Sequence, residues 1–242
     1  GRPGAPVTLT LYRPAETRTL EVPLVREVIQ VPTLADVGLL PAAQTGGEKI
    51  GYLRVIQFGE KTASEFDQAI DRLEREGASG LVLDLRDNPG GLVDGAVEVV
   101  SRFVSPGTLV VATEGRKGSA GRFEYLSKPV SRKIRWPTVV LVNGNTASAA
   151  EIVSGALQDL GKAVVVGELT FGKGSVQTVQ PVDTSIAPAV GVRLTTAHYT
   201  TPSRRKIHGV GIEPDITARM TAAEEKNLYQ SRSPGLRKAG EG

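Results

Sequence analysis

Two short apolar runs constrain the fold of this chain most, because a turn rich in glycine and asparagine and then a helical pattern follow each one. The runs are 81–85 (LVLDL) and 138–142 (TVVLV). Strands of this composition are buried on both faces, as in a parallel sheet covered by helices. Similar strand-like runs at 50–58 and 163–166 extend the strand–helix alternation. The sequence therefore predicts an α/β domain that begins near residue 50.

Alternating apolar and polar residues predict further strands on both sides of this alternation. Residues 7–12 (VTLTLY) and 25–31 (VREVIQV) alternate ahead of it, and 175–182 and 190–199 alternate towards the C-terminal end. A period of two residues is typical of half-buried strands and hairpins. Between the two leading strands and the α/β domain, residues 32–48 have the proline and glycine content of a loop.

Composition excludes several kinds of chemistry. The 242 residues include no cysteine and only two histidines, His198 and His208. A disulfide framework, a thiolate nucleophile and a cysteine-based zinc or iron–sulfur site are therefore ruled out, and we expect neither a cofactor nor a metal. Any nucleophile must be a hydroxyl, a carboxylate or a lysine.

Charge and hydropathy argue against nucleic-acid and membrane partners. The formal net charge is +3, and the densest basic cluster, 204–206, is short and has no aromatic run around it. Such a cluster is typical of a solvated turn, so we expect no nucleic-acid partner. No run approaches the roughly 18 consecutive apolar residues of a membrane-spanning helix, so we expect no integral membrane span.

Three turns are the candidate sites for chemistry. They are 87–91 (DNPGG), 143–148 (NGNTAS) and 170–173 (TFGK), and each follows a predicted strand. Ligands of open α/β sheets bind outside the carboxyl ends of the strands. The sequence therefore predicts that a functional site is built from these turns.

Ser148 has two interpretations. Together with Glu151 it forms a capping box, in which the serine merely caps its helix. Alternatively, a serine that leaves a buried strand through a tight turn is a nucleophile, and the amide of Ala149 with the positive helix end stabilises an oxyanion. The amide of Gly90 or Gly91 is a candidate second donor, although the turn also needs these glycines for its dihedral angles.

Lys173 likewise has a structural and a functional interpretation. An exposed lysine in a flexible turn is the default for this residue type. Gly172, Gly174 and Phe171 around it instead favour close backbone packing near the amine. The segment nearly completes a phosphate-binding loop, but Gly174 replaces the hydroxyl that would bind magnesium and a strand pattern follows. We therefore reject a nucleotide-binding role.

Taken together, these motifs resemble the carboxyl-terminal processing (tail-specific) serine proteases. The resemblance covers roughly residues 50–216 and implies an α/β fold, the crotonase/ClpP-like sheet-and-helix protease core, with a short β-rich leading segment. The motifs that carry it, in family order, are LDLRDNPGG (83–91), VNGNTASAAEI (142–152), TFGKGSVQ (170–177), YTTP (199–202) and GVGIEPD (209–215).

The resemblance implies a Ser/Lys catalytic dyad, with Ser148 as the nucleophile and Lys173 as the general base. It also implies that Gln177 orients the lysine amine. Gln177 lies four residues after Lys173 along the predicted strand, and a period of two places both on the same face. A free lysine, with a pKa of about 10.4, is protonated at neutral pH, so we expect Lys173 to be desolvated in the active enzyme.

The resemblance also implies an oxyanion hole, which we place at the amide of Ala149 and at that of Gly90 or Gly91. The residues alone do not choose between the two glycines. A Ser–His pair that uses His198 or His208 ranks below the Ser/Lys dyad. His198 lies in an alternating strand and His208 lies beside the basic turn 204–206, where a structural histidine is the more common case.

We expect a serine endopeptidase that cleaves protein or peptide substrates near their C-terminus through an acyl-enzyme intermediate. The family implies an exported location, in the periplasm or elsewhere in the cell envelope. Two alternatives stay open. A crotonase-type acyl-CoA enzyme would not need Lys173 and Gln177 in register with Ser148, and a catalytically silent scaffold would bind chain ends without cutting them. No pattern in the sequence determines the oligomeric state.

The expected domain organisation has three parts. In this family a PDZ domain typically precedes the core and captures the C-terminus of the substrate. Residues 1–6 and the run VTLTLYRP (7–14) resemble only the last turn and strand of such a domain, so we expect residues 1–48 to be a PDZ-like remnant with linker strands. Residues 49–218 form the expected protease core, and residues 219–242 form a polar tail with a weak helix.

Overall fold

The chain divides into two compact units, Gly1–Pro32 and Thr33–Gly242. Both are described from a computed structural model. The residues that the structure describes are 1–29, 31–115, 122–182 and 190–232.

The first unit is an antiparallel hairpin of β1 (Pro6–Arg13) and β2 (Arg18–Val25). The strand predicted at 7–12 is confirmed. The strand predicted at 25–31 is wrong, because β2 ends at Val25. That residue already pairs with Pro6, where β1 begins, and residues 26–29 and 31 belong to no strand. Alternation without a partner strand does not make a sheet.

The second unit alternates strands and helices. Its strands are β3 (Leu34–Leu39), β4 (Ile50–Val55), β5 (Gly80–Asp84), β6 (Leu109–Gly115), β7 (Phe123–Leu126), β8 (Thr138–Val142), β9 (Val164–Gly167), β10 (Ser175–Val182), β11 (Val190–Thr200) and β12 (Ile216–Thr217). Its helices are α1 (Ala42–Thr45), α2 (Thr62–Arg75), α3 (Val93–Ser101), α4 (Ala149–Asp159) and α5 (Ala222–Arg232). No helix of the described ranges has the length and hydropathy to cross a bilayer.

Two sheets organise this unit, and the α/β fold class is confirmed. The larger sheet has six strands in the order β12-β9-β8-β5-β4-β3. All of its neighbouring strands are parallel except β3, which runs antiparallel to β4. The smaller sheet has four antiparallel strands in the order β10-β11-β6-β7.

The hydrophobic core lies on one face of the larger sheet, so the expectation that its strands are buried on both faces is wrong. Residues on the opposite face, such as Tyr52 and Leu141, are only partly buried. α2 turns its apolar face, which includes Phe66 and Leu73, into the core, and α3 packs against both α2 and α4. One row of paired, fully buried side chains crosses the sheet: Leu53, Leu83, Val140 and Val165. Burial of one such side chain stabilises a fold by roughly 1.5–3 kcal/mol, so the parallel strands are a rigid base for the turns that follow them.

The sequence predicts only two of the four strands of the smaller sheet. β10 and β11 match the alternating runs, but β6 and β7 were not predicted. β6 pairs with β11, which lies far along the chain. The residues of β6 are buried without alternation, so its sequence does not show the period of two that predicts a strand.

The central strand generates the first prediction. Leu83→Ala removes a fully buried side chain from β5 and leaves a cavity between sheet and helices, so we expect the free energy of unfolding to fall by about 2–5 kcal/mol. Urea denaturation measures this loss. The matched control is Leu126→Ala, at a side chain that is 46% exposed, where we expect a change below about 1 kcal/mol. Equal losses at both positions would contradict this account of the core.

Candidate active site

The three candidate turns lie together at the carboxyl edge of the larger sheet. β5, β8 and β9 are consecutive parallel strands. The first turn, 87–91, follows β5, and the serine turn, 143–148, follows β8. The lysine segment, 168–174, follows β9. Because parallel strands end at the same edge, the sheet brings these segments together, as the sequence predicts.

Asn88 organises the first turn. Its side chain is fully buried and donates from Nδ2 to the carbonyl oxygen of Val55, at 2.7 Å. Its Oδ1 accepts the Gly90 N–H at 2.8 Å, and its carbonyl oxygen accepts the Ala147 N–H at 2.9 Å. Asn88 thus ties the first turn both to β4 and to the residue that precedes Ser148.

Gly90 lies directly against the predicted nucleophile. It has a φ of +99°, and a Cβ added there would lie 2.6 Å from Ser148 Cβ and 2.9 Å from Ala149 N. Both contacts are too short for a real side chain, so the first turn approaches Ser148 closely only because residue 90 is glycine. Two of the predicted oxyanion positions, Gly90 and Ala149, are therefore neighbours.

Ser148 has a strained backbone at the N-terminus of α4. Its φ of 57° and ψ of −118° lie in a region that residues with a side chain rarely adopt. Such a conformation costs about 1–3 kcal/mol and persists only where neighbouring contacts impose it. Here Thr146 contributes, because its hydroxyl donates to the Leu85 carbonyl oxygen at 2.9 Å and accepts the Asn143 N–H at 3.0 Å.

Glu151 joins the serine turn to the lysine segment. Its side chain is fully buried, and it accepts the Ser148 N–H at 2.8 Å, which is the carboxylate half of the expected capping box. The same carboxylate accepts the Thr170 hydroxyl at 2.5 Å, the Gly172 N–H at 2.7 Å and the Lys173 N–H at 2.8 Å. The capping pattern indicated only the first of these contacts.

The lysine segment is also held from its other side. The Thr170 hydroxyl accepts the Ile212 N–H at 2.7 Å. The carbonyl oxygen of Gly172 accepts the Gly209 N–H at 2.9 Å, and that of Gly174 accepts the Tyr199 N–H at 2.7 Å. The backbone around Lys173 is therefore fixed between Glu151 and the GVGIEPD segment.

The side chains of Lys173 and Gln177 are exposed. In the described part of the chain, no hydrogen bond joins Lys173 Nζ to Ser148 Oγ or to Gln177. The expectation that Lys173 and Gln177 share a strand face is wrong, because β10 begins at Ser175, after the lysine, and its register shifts between Val176 and Gln177. The structure therefore brings the peptide of Lys173 to Ser148 through Glu151, while the amine remains in solvent.

A buried carboxylate, Asp84, ends β5 beneath the first turn. It accepts the Tyr52 hydroxyl at 2.6 Å and two Arg86 side-chain N–H groups at 2.6 and 3.1 Å on the same oxygen. Burial alone raises the pKa of Asp84, but the Arg86 guanidinium, the Tyr52 hydroxyl and the charge of Arg232 outweigh it and hold the pKa below its usual value. Asp84 is therefore a charged structural centre.

The two histidines lie against each other. Their rings stack with centroids 4.6 Å apart, and His198 Nδ1 is buried without a hydrogen-bond partner among the described residues. Neither ring is hydrogen-bonded to Ser148 there. Within the same ranges, no cluster of three or more histidine, aspartate and glutamate side chains is placed to hold a metal ion.

Comparison with known proteins identifies a family and several relatives. Residues 49–218 match the sequence profile of Peptidase family S41. The chain is 42% identical over 235 residues to the carboxy-terminal-processing protease of Bartonella bacilliformis, covering 95% of this chain and 50% of the relative. It is 37% identical over 220 residues to the carboxy-terminal processing protease CtpA of Bacillus subtilis, covering 91% and 44%. The chain spans about half the length of the curated relatives it matches.

A solved structure extends the similarity to the fold. The photosystem II D1 C-terminal processing protease superimposes with a TM-score of 0.66 at 34% identity, over 90% of this chain and 57% of that chain. The matched profile spans the three turns, Glu151 and the GVGIEPD segment. From the profile match and the sequence identity together, the chain belongs to Peptidase family S41.

Proposed function

We propose that this chain is the catalytic part of a serine endopeptidase that cleaves protein substrates near their C-terminus, with Ser148 as nucleophile and Lys173 as general base. The observation that carries the assignment is the carboxylate of Glu151, which binds the backbone N–H groups of both Ser148 and Lys173. Family membership and the names of the relatives support the reaction and the substrate class.

The mechanism follows from these roles. Neutral Lys173 accepts the hydroxyl proton of Ser148 as Oγ attacks the scissile carbonyl carbon. The tetrahedral intermediate then expels the amine, which takes the proton from the Lys173 ammonium, and an acyl-enzyme remains. A water molecule, deprotonated by Lys173, attacks the ester carbonyl carbon, and the Lys173 ammonium then returns this proton to Ser148 Oγ as the new carboxyl terminus leaves. Each step moves one proton between lysine and the reacting oxygen or nitrogen.

The oxyanion donors in this proposal are the amides of Ala149 and Gly91. Ala149 is the first residue of α4, and its N–H has no acceptor among the described residues. The Gly90 N–H already donates to Asn88 Oδ1, whereas the Gly91 N–H has no acceptor in the described ranges. Backbone donors held in a rigid turn stabilise the oxyanion without reorganisation.

Substrate binding has a further role at Lys173. The amine is exposed, and a substrate chain laid over it shields it from water. In this proposal Gln177, also exposed, orients the amine once the substrate is bound. Activity thus depends on the substrate completing the site.

The remaining expectations stay proposals. We propose that residues 1–48 contain the end of a PDZ-like domain with linker strands, that 49–218 form the protease core and that 219–242 form a polar tail. We also propose an exported location, in the periplasm or cell envelope, supported by the family resemblance, with protein substrates recognised through their C-terminal segments.

The first test of this function replaces the two dyad residues. We expect Ser148→Ala and Lys173→Ala each to lower kcat by about 10³-fold or more, because nucleophile and base act as a unit. The measurement is cleavage of an unstructured protein that carries a fluorophore near its C-terminus. The matched control is Lys162→Ala, an exposed lysine at the opposite edge of the sheet.

Two results would overturn the assignment. If Lys173→Ala keeps most of the activity, Lys173 is not the general base and the Ser/Lys dyad is wrong. Binding of the fluorescent substrate without turnover by the unaltered chain would favour a silent peptide-binding scaffold.

The pH profile separates a lysine base from a histidine base. A lysine must be neutral to accept the serine proton, so kcat/KM is expected to rise with pH, and His198→Gln and His208→Gln are expected to keep the same profile. The measurement is the initial cleavage rate across the pH range in which the protein stays folded. A rise centred near the ordinary histidine pKa of about 6.5 that disappears in either variant would contradict the assignment.

Glu151 provides a test of the shared support. In Glu151→Gln, an amide NH₂ replaces one oxygen and faces N–H donors, so we expect the free energy of unfolding to fall by about 1.5–3 kcal/mol and kcat to fall about 100-fold. Denaturation and cleavage assays measure the two effects. The control is Glu168→Gln, since Glu168 makes no side-chain hydrogen bond or ion pair in the described ranges. An unchanged kcat in Glu151→Gln would show that serine and lysine do not depend on this carboxylate.

A further inference from the structure

Helix α5 has one deeply inserted side chain, that of Arg232. Within α5, no residue is buried. Its last residue, Arg232, nevertheless has a side chain only 10% exposed, paired with the carboxylate of Asp84, which is 0% exposed. The same guanidinium donates to Tyr52 Oη at 3.4 Å. Arg232 therefore inserts into the carboxyl edge of the sheet, while the other residues of the helix are exposed apart from the partly buried Leu228.

Arg232 also contacts the first turn of the active site. Its Nη1 lies 3.2 Å from Asp87 Oδ2. The other oxygen of Asp87 accepts the side-chain N–H groups of Asn143 and Asn145, at 2.9 and 3.0 Å. These asparagines belong to the turn that delivers Ser148. The Arg232 guanidinium thus contacts the end of β5 at Asp84 and the first turn at Asp87. Through Asp87 it is also linked to the serine turn.

The charges of this cluster balance. Asp84 and Asp87 are two carboxylates, and Arg86 and Arg232 are two guanidinium groups that face them. Asp87 has a φ of 61°, a left-handed conformation that aspartate adopts more readily than most residues but less readily than glycine. A cation that pulls on one carboxylate oxygen while asparagines hold the other fixes that conformation.

We propose that Arg232 is a positioning residue for proteolysis, which holds the turn 87–91 and the turn 143–148 in their catalytic arrangement through Asp84 and Asp87. The proposal rests on the function proposed above. Arg232 lies beyond residues 49–218, the range that matches the family profile. α5 and the two turns enclose a cavity of 740 Å³ that Arg232 lines.

The test compares Arg232→Gln and Arg232→Lys with the unaltered chain. Without the clamp the turns sample other arrangements, so we expect Arg232→Gln to lower kcat about tenfold with KM within about twofold, because displacement of catalytic groups affects the chemical step. We expect Arg232→Lys to be intermediate, because an ammonium cannot bind two carboxylates as a planar fork does. The matched control is Arg219→Gln, which lines the same cavity but pairs with no acid among the described residues.

Hydrogen–deuterium exchange supplies a readout that does not require activity. We expect faster amide exchange in Arg232→Gln at residues 87–91 and 143–148, as well as in α5. An anchor that served only the tail would speed exchange in α5 alone and leave kcat unchanged, and that result would overturn the proposal. If the unaltered chain cuts no substrate, the proposed function fails, while the exchange data still decide whether Arg232 holds the turns. If Arg232→Gln does not fold, Arg232→Lys carries the same comparison.

Discussion

The arrangement of the site depends on one buried carboxylate. Glu151 has no cationic partner among the described residues, and four donors from the serine turn and the lysine segment surround it. An isolated buried carboxylate costs several kcal/mol, and hydrogen bonds to a charged group each contribute about 1.5–3 kcal/mol. If either segment moves away from Glu151, the buried carboxylate loses hydrogen bonds that offset its desolvation. The two segments therefore keep a fixed relation to each other, although no strand pairing joins them.

Much of the fold, and the place of the site, could be predicted because the signals are local. The runs LVLDL and TVVLV are short enough to read directly, and they match β5 (Gly80–Asp84) and β8 (Thr138–Val142) closely. The turns after them contain the glycines and asparagines that such geometry requires. The relation between Ser148 and Glu151 was also visible, since a capping pair lies within one helical turn.

Contacts between distant parts of the chain could not be predicted. Nothing in the capping pattern indicates that Glu151 also binds Thr170, Gly172 and Lys173, because those donors belong to a segment some twenty residues later. The pairing of Arg232 with Asp84 spans 148 residues and has no local period at all. The face shared by Lys173 and Gln177 failed for a different reason. A strand boundary and a register shift separate the two residues. The alternation of apolar and polar residues in the sequence indicates neither of these features.

Gly90 limits how the sequence can vary. Any side chain at this position would have to displace Ser148 Cβ or the backbone of Ala147 and Ala149. Most glycine positions in turns restrict only the local dihedral angle, and a change there is absorbed nearby. At residue 90 the obstruction falls on the proposed nucleophile itself, so any side chain there would displace Ser148 even where the rest of the fold tolerates it. Residues 90 and 148 are therefore sterically coupled, although fifty-eight positions separate them in the chain.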